Sequence, residues 1–205
     1  MPSLMGWAAF AALSIYIVLF FTATLRLSQT GQRIWLFGAA QGTDRLAAIG
    51  FRGAFVLAFL GPLLWQSIPW LHKNDPLWSE FGTLPTGVTG AIMAWLGMSL
   101  ALAAQSGMGR SWRVGVVSGQ SGDLVTGGLF AISRNPVFLG QALLLTGIAF
   151  ALPALATAAA PMLFLWSARN QIRSEEAVLL AAHGESYARY MREVPRWIGP
   201  RKAAA

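Results

Sequence analysis

Residues 137–168 read VFLGQALLLTGIAFALPALATAAAPMLFLWSA, 32 consecutive positions without a charged side chain. A single membrane-crossing helix needs about 20 apolar residues. This run is too long for one crossing, and Pro153 divides it into halves of about 16, each marginal for a crossing of its own. A helical hairpin that turns near Pro153 satisfies both the length and the proline. Its second half can continue as helix beyond Arg169, through Glu175 and Glu176, into a charged and partly amphipathic tail.

Working outward from the hairpin, the N-terminal half repeats the theme. Leu4 to Leu25 is 22 residues without a charge, enough at ~1.5 Å per residue to span a ~30 Å hydrocarbon layer. No basic residue precedes it and it exceeds a typical signal-peptide core, so the expectation is a transmembrane helix stopped by Arg26. A second span is predicted from Phe51 to Leu71, with Arg52 snorkelling at its edge and Pro62 kinking it. A short loop from His72 to Pro85 carries Asp75 and Glu80, and a third span runs from Thr86 to Ala104. The predicted fold is all-α and polytopic, with about five transmembrane helices. Residues 1–104 hold three of them, and residues 105–205 hold a loop, the helical hairpin and a cytoplasmic C-terminal helix.

Composition agrees with a membrane setting. The chain is 55% hydrophobic and 11% charged, against about 25% charged in soluble domains. It has no cysteine, which excludes disulfides, thiolate metal sites and covalent thiol chemistry. A net charge of +7 could suggest nucleic acid, but in a membrane chain Lys and Arg gather on the cytoplasmic side and meet anionic lipid. With the N-terminus outside, 14 of 15 basic residues fall on one side and only Lys73 on the other. The predicted location is a membrane of the bacterial inner-membrane type, with the C-terminus and the polar clusters cytoplasmic and membrane lipids, not nucleic acid, as partners.

Two polar clusters interrupt the apolar pattern. The first lies in residues 105–140, a glycine-rich segment too long for an idle loop. Gly107 and Gly109 let a ligand approach the backbone, or cap the third helix. Ser133-Arg134-Asn135-Pro136 stands before an apolar helix, where Pro136 suits the first turn and Asn135 or Ser133 can cap it. The second cluster is Glu175-Glu176, with Gly184-Glu185-Ser186-Tyr187 and Tyr190 behind it. Adjacent carboxylates on a helix point about 100° apart, so one can face a buried cation while its neighbour faces solvent. Glu176 and Arg173 are spaced to pair on a solvated face. His72 and His183 are isolated, and no spacing suggests a metal.

Taken together, residues ~105–198 resemble the isoprenylcysteine carboxyl methyltransferases and the related phospholipid N-methyltransferases. The resemblance is carried by Gly109-Arg110-Ser111-Trp112-Arg113-Val114-Gly115-Val116, Leu124-Val125-Thr126-Gly127-Gly128-Leu129-Phe130, Ser133 to Gly140, Glu175-Glu176, Gly184 to Tyr187 and Val194-Pro195-Arg196. It implies S-adenosylmethionine as cofactor, held between the loop before the hairpin and the helix after it. The family's Gly-x-Gly falls on Gly107 and Gly109, and its paired glutamates on Glu175 and Glu176. Its Arg-His-Pro element reads Arg134-Asn135-Pro136 here, which keeps hydrogen bonding but removes a titratable group. A frequent tyrosine is Phe138. The implied catalytic set is Arg113, Arg134, Asn135 and Glu176. The implied cofactor set is Gln105, Gly107, Gly109, Val125, Thr126, Gly127, Arg134, Asn135, Pro136, Phe138, Gly140, Glu175 and Glu176. Arg134 or Arg113 would pair the cofactor carboxylate and a glutamate its amino group, with a lipophilic acceptor (a prenylcysteine-like carboxylate, a phospholipid amine or a thiol) entering from the bilayer. Two alternatives stand beside this expectation: an NADPH-dependent membrane reductase of sterol-reductase-like architecture, and a non-enzymatic membrane scaffold.

Overall fold

The structure, a computed structural model, describes residues 4–29, 42–113 and 123–199. Every regular element among them is helical: α1 Leu4–Ser28, α2 Gly42–Ser67, α3 Pro69–Lys73, α4 Pro76–Phe81, α5 Leu84–Met108, α6 Pro136–Ala151, α7 Leu155–His183 and α8 Glu185–Glu193. Short 3-10 turns occupy Gly109–Ser111 and Gly128–Ala131. Three helices, α1, α2 and α5, are long and apolar enough to cross a membrane. The uncharged run of 137–168 folds as the helical pair α6 and α7, with Pro153 in the turn between them. At 16 residues α6 is shorter than a typical crossing, and α7 joins an apolar first half to a charged second half.

The second span differs from its expected bounds. Helix α2 begins nine residues before Phe51 and ends at Ser67, because Pro69 opens a separate short helix. Pro62 lies buried inside α2, which continues through it. The expected loop 72–85 is largely helical, since Pro76 and Pro85 each sit in a first turn, where a missing N–H costs nothing. Asp75 caps α4 by accepting from Leu77 N at 3.0 Å, and its second oxygen accepts from Leu155 N at 3.1 Å. One carboxylate therefore joins this loop to the start of α7.

Small residues decide how the helices meet. Helix α5 packs most extensively on α6, α2 packs on α7, and α1 lies against α5 and α6. A Cβ built on Gly97 would fall 2.6 Å from the carbonyl oxygen of Gly140, and one on Gly90 would fall 2.6 Å from that of Gly147. Both helices place glycines seven residues apart, two turns, so the two backbones touch along one stripe. Large aromatics fill the space where α1, α2 and α7 converge, among them Tyr16, Phe55 and Phe164. Gly97→Leu is expected to lower thermal stability in detergent by roughly 1–3 kcal/mol or more through overpacking. Gly107→Ala, whose added Cβ meets nothing within 4 Å, is expected to leave the melting point unchanged or slightly raised.

Candidate functional site

The site is built where α7 outlasts its apolar half. Gln171, Glu175, Val178 and Leu179 recur at helical spacing, so they share one face of α7. That face looks into a cavity of about 1190 Å³, its open mouth included. The start of α6 supplies a second wall through Arg134, Asn135, Pro136 and Phe138. Trp112 and Arg113 close a third side, just after α5, with Asp123 to Val125 beside them. Helix α8 provides the cover. Gly184 takes φ +54, a conformation that favours glycine, and ends α7 so that α8 turns back and presents Tyr187 and Tyr190 to the cavity.

A bridge of charges runs beside the cavity, with Arg134 and Glu176 in its lining. Arg134 Nη2 donates to Glu176 Oε1 at 2.8 Å, and Arg196 donates through Nε to the same oxygen at 3.0 Å and through Nη2 to Oε2. Arg134 Nη1 donates at 2.8 Å to the carbonyl oxygens of Met191 and of Val194. The chain after α8 is thereby strapped across the start of α6. Arg134 N donates to Pro195 O at 3.0 Å, Asn135 Nδ2 to Arg196 O at 3.0 Å, and Ser133 Oγ to Arg196 O at 3.3 Å. Tyr190 Oη donates to Phe130 O at 2.7 Å and locks α8 to the preceding turn.

The two adjacent glutamates live in opposite electrostatic settings. Burial alone would raise the Glu176 carboxyl, but the hydrogen bonds from Arg196 and Arg134 and their charges hold it below the usual carboxylate range. Glu175 is pushed up to about 7, first by burial, against the hydrogen bond it accepts from Gln171 Nε2 at 3.2 Å, and with the charge of Glu176 adding to the rise. Burial likewise raises Tyr187, and pushes Tyr190 up to about 12. Several buried polar atoms on the cavity wall have no partner among the described residues: Arg134 Nε, Gln141 Oε1 and Gln171 Oε1.

The structure sorts the expected residues into two groups. Arg113, Val125, Arg134, Asn135, Pro136, Phe138, Glu175 and Glu176 meet around the cavity. Thr126 and Gly127 do not line it, and neither do Gln105, Gly107, Gly109 and Gly140. Gln105 instead donates to Thr24 Oγ1 at 3.2 Å, beside the bond from Trp112 Nε1 to the same hydroxyl. Gly109 is the C-cap of α5, at φ +49, and Gly140 is spent on the close approach to α5. Two local expectations also change. Asn135 stands at the N-cap of α6 but its side chain makes no capping bond, because it reaches Arg196 O. Glu176 pairs with Arg134 and Arg196, not with Arg173. Residues 114–116 of the matched stretch lie outside the described residues.

Sequence reasoning missed Gln171, Gln141 and Phe20 as cavity residues. A signal existed for the first two: Gln171 is one turn before Glu175, and Gln141 is an amide inside an otherwise apolar run. Phe20 carries no such mark, since it is one aromatic among many in α1. No protein-family model, curated protein or solved structure matches the chain.

Proposed function

We propose that this chain is a membrane-embedded, S-adenosylmethionine-dependent methyltransferase acting on a lipophilic acceptor, with α6 and the first half of α7 completing five membrane segments and the cavity mouth facing the cytoplasm. The observation that carries the reading is the meeting of two clusters 42 residues apart, Arg134 and Glu176, in the lining of one cavity that combines charged and aromatic side chains. In the sequence, 14 of 15 basic residues fall in segments on the same side of the predicted spans as Arg134 and Glu176, which supports a cytoplasmic site.

The residues present fit the cofactor. When bound, S-adenosylmethionine supplies a methyl group activated by a positively charged sulfur. Glu175 and the unpartnered Gln171 Oε1 form an acceptor pair for an ammonium group. Arg113 lines the cavity and donates from Nη1 to Ser111 O at 3.2 Å, which aims its guanidinium as a carboxylate partner. Arg134 has both terminal nitrogens committed to protein groups, so its part is to frame the mouth and offer Nε alone. Trp112, Phe138 and Tyr187 give aromatic faces suited to a cationic sulfur. What the protein must then do is align two reactants and exclude water, and the aromatic side chains lining the cavity serve both.

A reductase binding a 2′-phosphorylated nucleotide would need a cluster of free cations, and of the cavity-lining Arg113 and Arg134 the second is already engaged by Glu176. A scaffold would have no use for buried polar atoms left unpaired around a void, which lower stability. The test is calorimetric titration of the detergent-purified protein with S-adenosylmethionine, S-adenosylhomocysteine and NADPH. Binding of the first two and not the third is expected. Binding of NADPH alone would replace the proposal with the reductase, and no binding of any would leave the scaffold.

A further inference from the structure

The cavity is lined in part by Phe20, Phe51 and Phe138, and the amide of Gln141 belongs to the same lining. It lies five residues into α6 from Pro136, about 7.5 Å further along the helix axis. Gln141 is 2% exposed. Its Nε2 donates to Tyr16 Oη at 2.6 Å, while its Oε1 has no partner among the described residues. Tyr16 is itself buried in the middle of α1, stacked on Phe55. The amide is thus held by its nitrogen end, and its oxygen end, buried in a residue that lines the cavity, is left without a protein partner.

A buried amide oxygen without a hydrogen bond is costly, so it is satisfied by whatever enters the cavity. A water there is displaced without loss only by a group that reproduces its donated hydrogen. A carboxylate or an ether brings lone pairs against a lone pair, and a carboxylate adds a charge to an aromatic floor. We infer that the floor of the cavity binds an apolar molecule bearing a hydroxyl or neutral amine, whose hydrogen is donated to Gln141 Oε1, and that this contact selects against carboxylate acceptors. The inference rests on the proposed function only in taking this cavity as the place where the acceptor binds.

The test uses the full chain in detergent, titrated with three probes of equal chain length: 1-dodecanol, dodecyl methyl ether and dodecanoate. Binding is read by native mass spectrometry. The alcohol is expected to bind about tenfold or more tighter than the ether, the scale of one buried acceptor left unpaired, with dodecanoate no better than the ether. In the double variant Tyr16→Phe, Gln141→Leu, which removes both members and leaves no orphan, the three probes are expected to converge. Equal affinity of alcohol and ether in the wild type overturns the inference, as does a preference for dodecanoate, a preference that survives in the double variant, or no saturable binding of any probe. The wild-type comparison decides even if the double variant does not fold. S-adenosylmethionine binding is measured on the same samples. Its absence beside an intact alcohol preference defeats the methyltransferase reading alone, and its presence without that preference defeats this inference alone.

Discussion

Glu175→Gln is expected to stabilise the protein and weaken its ligand binding in the same variant. The Glu175 carboxyl sits at about 7 because burial disfavours its charge and Gln171 compensates only in part. Its folded value lies above the unfolded one, so the folded state holds the proton more tightly. Stability therefore falls as pH rises through the usual carboxylate range towards about 7, and the full cost persists above that. A glutamine carries no such cost. The expected gain is on the order of 1–3 kcal/mol at pH 8, the scale of a buried polar group short of partners, and it should vanish near pH 4. Over the same interval the wild-type affinity for S-adenosylmethionine is expected to rise as the carboxylate ionises. The variant should bind roughly tenfold or more weakly at pH 8, the loss of one hydrogen bond to a charged group, with a flat pH profile. Thermal unfolding and calorimetry at pH 5, 6.5 and 8 check both halves. A variant that is destabilised, or that keeps the wild-type pH profile of binding, would sink the assignment.

Glu176→Ala should have the opposite and larger structural effect. Its partner Arg134 is only 10% exposed, and Glu176 itself 12%. Removing one member of such a pair leaves a buried, uncompensated charge, which costs roughly 3–5 kcal/mol. The strap formed by Val194, Pro195 and Arg196 is held through the same arginine, so its detachment from α6 is expected along with the loss of stability. Limited proteolysis after Glu193 should accelerate together with the fall in melting point. The pH sign is the reverse of that for Glu175. The Glu176 carboxyl is held low, so its contribution is complete above the usual carboxylate range and is lost only as pH falls below it. The gap between wild type and Glu176→Gln should accordingly narrow in acid. Arg192 and Glu185 also form an ion pair, at 2.5 Å, but both are largely exposed. Glu185→Gln is expected to leave the melting point unchanged, since solvent screens such pairs.

Much of this was legible in the residues themselves. The uncharged run and its central proline announced the α6–α7 pair, since a proline within so long a run divides it most simply at a turn. Arg134 and Glu176 could be named as polar groups bordering apolar helices, but their partnership could not, because it depends on how α7 returns alongside α6, and that of Arg196 on the chain beyond Gly184. Local spacing suggested Arg173 for Glu176, and the tertiary fold supplied Arg134 and Arg196 in its place. The glycines were the least legible. In sequence, Gly107, Gly109 and Gly140 look alike, yet one is open, one caps a helix and one lets two backbones touch. Nothing in a glycine says which of these a fold will require, because the reason lies in the neighbour that a side chain would strike.

The brevity of α6 has a consequence for the bilayer. Sixteen residues rise about 24 Å, against a hydrocarbon layer of ~30 Å. If α6 starts at the headgroups on the side of the cavity mouth, its turn into α7 ends several ångströms inside the opposite leaflet. The first N–H groups of α7 would lie there among acyl chains, where no water reaches them. The Asp75 carboxylate that accepts from Leu155 N meets one of those groups from the neighbouring loop. The lipids beside the hairpin must then thin to meet it, while those beside the 25-residue α1 need not. The annulus around this protein would be uneven in thickness, and short-chain phosphatidylcholine would be its better solvent on the hairpin side.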